Sequence, residues 1–278
     1  MPREKRQFEN GELYHITLRR IADELLFKDI DDYFRGVFGI YEFNNANIVR
    51  IYNRRRERAQ FKKNMAEFLA IQETNLEQGL TLLKINEFIQ PQCAQIQQMA
   101  TEPDRRSKLI EVLSFVLMPN HLHLILRQIT REGISKYMQK LGSGLAAYFF
   151  DKYYANIKKR GHFFQDRFNA VHIETDRQLR VALVYDWTNP IALLEPNWKE
   201  KGIKNTVETK KFLEKYKWSS YQDCLGVKNF PSIIEAEKDF LMEVMGGVEG
   251  CESAVNNWIS HKGEIAKLSK NFPKLFLE

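Results

Sequence analysis

Two histidines separated by one residue, His121 and His123, are the sharpest chemical feature of this 278-residue sequence. Residues two apart on a strand project from one face, so both imidazoles would point the same way while Leu122 and Leu124 enter the opposite face. That is a grip for a metal ion. An apolar strand holding two hydrogen-bonded histidines satisfies the same pattern, and H-x-H alone is more often that, so a third ligand has to decide. Tyr185 and Asn189 stand four residues apart on a helical segment and share a face with Gln178 and Ala182, distinct from the stripe of Leu179, Leu183 and Trp187. The Asn189 amide oxygen could complete a divalent-cation site with Tyr185 one turn away as a phenolic nucleophile. A helix-end asparagine before Pro190 and a packing tyrosine are the plainer reading, and spacing alone favours it.

Two basic segments could hold phosphates. Lys158, Lys159, Arg160 and Arg167 are interleaved with Phe163, Phe164 and Phe168, rings on which bases could stack. Arg54, Arg55 and Arg56 lie in a run from Arg50 to Lys63 that carries seven basic residues and one acidic. That surplus equals the net +6 of the whole chain, so the protein is locally rather than diffusely basic, despite its pI near 9.0. Solvated charged surface and buried phenylalanines would explain both segments equally well.

Several elements must position these groups. Tyr14, Ile16 and Leu18 alternate with His15, Thr17 and Arg19 as in a half-buried strand. Asp29 to Phe38 then reads as a capped amphipathic helix. After a long connection, Leu109 to Met118 and His121 to Arg127 flank Pro119-Asn120 as a hairpin. A helical stripe through Ile134, Met138, Leu141, Leu145, Tyr148 and Phe149 follows, then a strand at Asn169 to Glu174. A last helix opens at Asp176 and runs to about Asn189. This order predicts an α+β fold, a ferredoxin-like antiparallel sheet with helices on one face. One catalytic domain would span 1–196, with a helical basic insertion at about 44–108, and 197–278 would form a partly helical C-terminal extension. Cys93, Cys224 and Cys251 support neither a disulfide framework nor a thiolate zinc site. With no apolar run of spanning length, a cytoplasmic protein without a membrane partner is expected.

Taken together, these elements resemble the REP-associated tyrosine transposases of the HUH single-strand transposase superfamily. The matching stretches are Tyr14-His-Ile-Thr-Leu-Arg19, Val116-Leu-Met-Pro-Asn-His-Leu-His-Leu124, Arg160-Gly-His-Phe-Phe-Gln-Asp-Arg-Phe168, Tyr185 with Asn189-Pro190, and Trp218-Ser-Ser-Tyr221. The resemblance implies that His121 and His123 form the metal motif, Asn189 is the third ligand, and Tyr185 is the nucleophile. It further implies a Mg²⁺ or Mn²⁺ cofactor and a single-stranded DNA substrate with a palindromic hairpin. Cleavage and rejoining would pass through a 5′-phosphotyrosine, by one chain or a homodimer. Asp186-Trp187-Thr188 departs from the more apolar residues expected after the tyrosine. Two other readings stay open: a nucleic-acid-binding module without catalysis, and a metal nuclease using activated water.

Overall fold

The computed structural model describes residues 7–53, 56, 106–155, 161–234, 237–260, 272 and 275. Residues 1–44 and 108–278 form one compact unit and residues 45–107 another. The first unit is built on a four-stranded antiparallel sheet of β1 (Leu13–Arg19), β2 (Ile110–Met118), β3 (His121–Gln128) and β4 (Asn169–Ile173), in the order β2-β3-β1-β4. Helices α1 (Ile30–Glu42) and α2 (Gly133–Tyr153) make the two crossovers, which is the ferredoxin-like arrangement. Both cover the sheet face carrying Leu117, Leu122 and Leu124. A Cβ on Gly36 of α1 would lie 2.9 Å from Leu117 Cδ1, so glycine lets this helix approach the strand.

The start of α1 is fixed by a reciprocal capping box between Asp29 and Asp32. Lys152 of α2 pairs with both carboxylates at 2.7 Å, and the Tyr148 and Tyr153 hydroxyls donate to the same pair of residues. Tyr148 is therefore half-buried and polar-bonded, not the core residue its stripe suggests. The glycine near the middle of α2 also has a packing reason. A Cβ on Gly144 would sit 2.1 Å from Phe43 Cζ.

Pro119 and Asn120 form the β2–β3 turn, and the chain after β1 pins it: the Leu26 and Phe27 amides donate to Pro119 O and the Arg20 amide to Asn120 O. Trp218–Ser220 covers the outer edge of β2. Leu117 N–H donates to Trp218 O, Ser220 N–H donates to Phe115 O, and Ser220 Oγ lies 3.1 Å from Ser114 Oγ. An open strand edge is thereby paired.

Helix α3 (Asp176–Thr188) lies on the sheet face opposite α1 and α2, with Thr175 accepting from Gln178 N at its start. A 3₁₀ turn, Asn189–Leu193, continues it. Short helix α4 (Trp198–Lys201) and α5 (Thr206–Lys215) follow, then α6 (Tyr221–Cys224), α7 (Pro231–Ile234), α8 (Lys238–Met245) and α9 (Gly247–Ser260). These lie in the same compact unit as the sheet. Trp187 and Tyr221 rings pack at 5.4 Å, and Lys210 of α5 pairs with Glu252 of α9 at 2.6 Å. Helix α3 is therefore enclosed from Val181 to Thr188, with nothing left for a solvent face.

In the second unit the Ala46 amide donates to Ser107 O at 2.7 Å, joining the two ends of the inserted segment. No helix among the described residues is long and apolar enough to cross a membrane.

Candidate metal and nucleophile site

The sheet register determines which polar groups meet. Thr17 pairs with His123, Arg19 with His121, and His15 with Ile125, so His15, Thr17, Arg19, His121 and His123 all project from one face. The alternation in β1 was expected to leave one face half-exposed. Instead α3 covers it: His15 and Thr17 are buried, and His123 is 0% exposed. The helix contributes a stripe at 182, 185, 186 and 189, the helical spacing for one face. Ala182 keeps that stripe shallow, while Tyr185, Asp186 and Asn189, each at most 1% exposed, face the strand histidines.

The hydrogen bonds orient the rings. His121 Nδ1 lies 2.6 Å from Asn120 Oδ1, which can only accept, so Nδ1 carries the proton and Nε2 is the lone-pair nitrogen. The Asn189 amide nitrogen lies 2.8 Å from His123 Nε2 and donates to it. His123 Nδ1 is then the protonated nitrogen, 3.1 Å from Thr17 Oγ1 and 3.2 Å from His15 Nε2. His15 Nε2 in turn lies 2.9 Å from Asp186 Oδ1, a fully buried pair sharing a proton. Burial holds the His123 imidazole well below its usual pKa, assisted by the charges of His121, His15, Lys199 and Arg19, so the ring is neutral and its Nε2 lone pair is the one that accepts from Asn189. Burial also raises the Asp186 carboxyl, against the lowering influence of His15.

Two donor sets share His123. One comprises the strand pair, His121 Nε2 and the His123 Nε2 that accepts from the Asn189 amide nitrogen; the rings are 4.8 Å apart and nearly perpendicular. His15, His123 and Asp186 form the other, their donor atoms all within 4.8 Å of one another. Two ligand atoms about 2.1 Å from one Mg²⁺ or Mn²⁺ sit about 3 Å apart at neighbouring octahedral positions, so the 2.9 and 3.2 Å separations of the second set, hydrogen bonds in this structure, would suit an ion only once the protons on His123 Nδ1 and between His15 and Asp186 are displaced. Imidazole, amide and carboxylate together suit Mn²⁺ as well as Mg²⁺.

Tyr185 is fully buried beside both sets. Its ring meets those of His123 and His15 edge-on, with centroids at 5.8 and 6.2 Å. Its hydroxyl accepts from Lys199 Nζ at 3.1 Å. Tyr148 and Tyr153, by contrast, belong to α2 on the other side of the sheet.

Thus the structure brings together His121, His123, Asn189 and Tyr185. Arg167 is exposed, and so is Arg56 in the second unit. Lys158, Lys159, Arg160, Arg54 and Arg55 lie outside the described residues. Sequence reasoning passed over three members of the site. His15 was only the polar half of an alternation, Asp186 only a departure from a pattern, and Lys199 lay in the presumed extension. One signal was available: an acidic residue next to Tyr185 on a helix otherwise bound for burial needs a buried partner.

Comparison with known proteins gives two results. Residues 48–185 match the family model described as transposase, IS200-like. A solved structure described as a REP-associated tyrosine transposase bound to a REP hairpin aligns over 84% of this chain and 90% of that one, at 11% identity and a TM-score of 0.42. No curated protein matches.

Proposed function

This chain belongs to the IS200-like transposase family, and from that premise we propose that it cleaves and rejoins single-stranded DNA, with Tyr185 as the nucleophile. The observation that carries this reading is the placement of one phenol, Tyr185, against the two-histidine strand by the same helical stripe that presents Asn189 to His123. A substrate with a hairpin beside the cleaved strand follows from the resemblance of the sequence motifs.

In this reading His121, His123 and Asn189 would hold a divalent cation, Mg²⁺ or Mn²⁺, with the Asn189 amide turned from its bond to His123 Nε2 so that its oxygen, not its nitrogen, is the ligand atom. His15 and Asp186 stand behind His123 and fix its ring and tautomer, as outer-shell carboxylate–histidine partners do. When bound, the cation supplies Lewis-acid polarisation of the scissile phosphate and lowers the cost of its added negative charge. Arg19, opposite His121 in the register and paired through Nη1 with Asp23 at 2.6 Å, is a cation on the same face that can orient the phosphate. Tyr185 Oη attacks phosphorus in line. The Oη–P bond forms as the P–O3′ bond breaks; the phenolic proton passes to water, and the departing 3′ oxygen takes one from water. The product is a 5′-phosphotyrosine and a free 3′-hydroxyl. The new bond is again a phosphodiester, so another 3′-hydroxyl can displace the tyrosine without nucleotide hydrolysis.

The test is incubation of the protein with single-stranded hairpin oligonucleotides and Mn²⁺, followed by denaturing electrophoresis. A denaturation-resistant adduct that Tyr185→Phe abolishes is the expected result. Cleavage without adduct supports a water mechanism, and binding without cleavage supports a module without catalysis.

A further inference from the structure

Lys199 belongs to the segment after 196, yet its ammonium reaches back to the phenol of Tyr185. Nζ is 3.1 Å from Oη and 4.7 Å from the ring centroid. We propose that Lys199 is a catalytic partner of Tyr185, holding Oη at the attacking position and balancing the negative charge that the oxygen carries before bonding to phosphorus and after leaving it. This inference rests on the reading of Tyr185 as nucleophile.

The local chain is built to deliver that ammonium. Lys199 stands on the single turn of α4, whose first residue, Trp198, is 1% exposed and anchors the turn in the core. Backbone bonds from Trp198 N to Glu195 O and from Gly202 N to Trp198 O close the turn on both sides. A half-buried lysine ordinarily keeps its head group in water and buries only its stem. Here the head turns inward to a hydroxyl that is completely enclosed. That geometry costs hydration and rotamer freedom, and a neutral hydrogen bond recovers only about 1 kcal/mol of it. The arrangement gains most when Oη bears charge, because a charge-assisted bond is roughly twice as strong as a neutral one.

The chemistry needs such a group in both directions. A free phenol has a pKa of about 10, so about one in a thousand is ionised at neutral pH. During attack the phenolic proton leaves to water while Lys199 keeps its three protons and stays cationic. During resealing the Oη–P bond breaks, its electron pair returns to Oη beside the same cation, and the phenol regains a proton from water. One fixed charge therefore serves cleavage and rejoining.

The experiment is single-turnover adduct formation with a hairpin oligonucleotide and Mn²⁺, comparing the wild type with Lys199→Met, Lys199→Arg and Tyr185→Phe, alongside oligonucleotide affinity by anisotropy and thermal unfolding. Removing one preorganised charge partner should slow adduct formation about 100-fold in Lys199→Met. Affinity should stay within a few-fold, and Lys199→Arg should recover most of the rate. A wild-type rate in Lys199→Met overturns the proposal. So does a loss shared by both substitutions in proportion to lowered stability, because then the lysine only holds the fold. If the wild type forms no adduct, or Tyr185→Phe still forms one, the nucleophile reading itself fails and the role of Lys199 falls with it.

Discussion

Replacing Asn44 by alanine should weaken the whole sheet unit, and the structure sets the size of the effect. Asn44 follows α1, is 5% exposed, and sits where the chain leaves the sheet unit; Leu109 and Ile110 lie just after its return. Its Oδ1 accepts from the Leu109 and Ile110 amides at 2.9 and 3.1 Å, and its Nδ2 donates to Ile110 O at 2.8 Å. One side chain thus ties the end of α1 to the start of β2 through three buried bonds. Each bond contributes about 1 kcal/mol net, and each buried backbone group left without a partner costs about 1–3 kcal/mol. Asn44→Ala should therefore lose about 3–5 kcal/mol after partial relaxation. For a unit of this size each kcal/mol lowers Tm by about 2–4 °C, so a fall of about 6–20 °C is expected. Denaturant unfolding followed by tryptophan fluorescence and circular dichroism measures it, with coincident transitions required. A loss under 1 kcal/mol would refute the reasoning, since it would mean that water or a shifted backbone satisfies all three groups.

Three further outcomes are expected. Asp186→Asn should weaken Mn²⁺ binding by about 10-fold, measured calorimetrically, because it removes the carboxylate behind His15 and His123 while keeping the shape. Asn189→Ala should weaken binding more; if Asp186→Asn instead abolishes binding and Asn189→Ala leaves it intact, the ion belongs to the His15, His123, Asp186 set. Glu237 is 4% exposed, 2.7 Å from Arg127, and burial with a hydrogen bond to Glu111 lifts its carboxyl to about 7. Its folded pKa exceeds its unfolded one, so its contribution to stability is complete below the unfolded value, about 4.5, and is lost as pH rises through about 7. Relative to wild type, Glu237→Gln should therefore gain at most about 3 kcal/mol in unfolding free energy between pH 5 and pH 8, and a constant difference would contradict the account.

The elements of the sheet unit were legible because each is a local pattern: period-two alternation in β1, Pro119-Asn120 between β2 and β3, and an acidic start to α1 and α3. The pairing of His121 and His123 followed from strand geometry alone. His15 and Asp186 were not legible, because their contact joins residues 171 apart and depends on which sheet face a later helix covers. Alternation in β1 distinguishes two faces without saying that the polar one will be enclosed. The helices after residue 196 read as an appendage because their apolar positions are divided among short segments. The Trp187–Tyr221 contact and the pairing of Trp218–Ser220 with β2 show why those residues lie in the sheet's own unit. Lys199 was hidden for the same reason, since nothing local distinguishes it from a surface lysine.

The proposed chemistry requires that Tyr185 become covalently joined to DNA. Its most direct test is to trap the protein on a single-stranded hairpin oligonucleotide with Mn²⁺, digest protein and DNA, and locate the phosphonucleotide remnant by tandem mass spectrometry. The remnant is expected on Tyr185, joined through a 5′ phosphate, with a free 3′-hydroxyl on the released fragment. A remnant on Tyr148, Tyr153 or any other residue, or cleavage with no remnant at all, would contradict it.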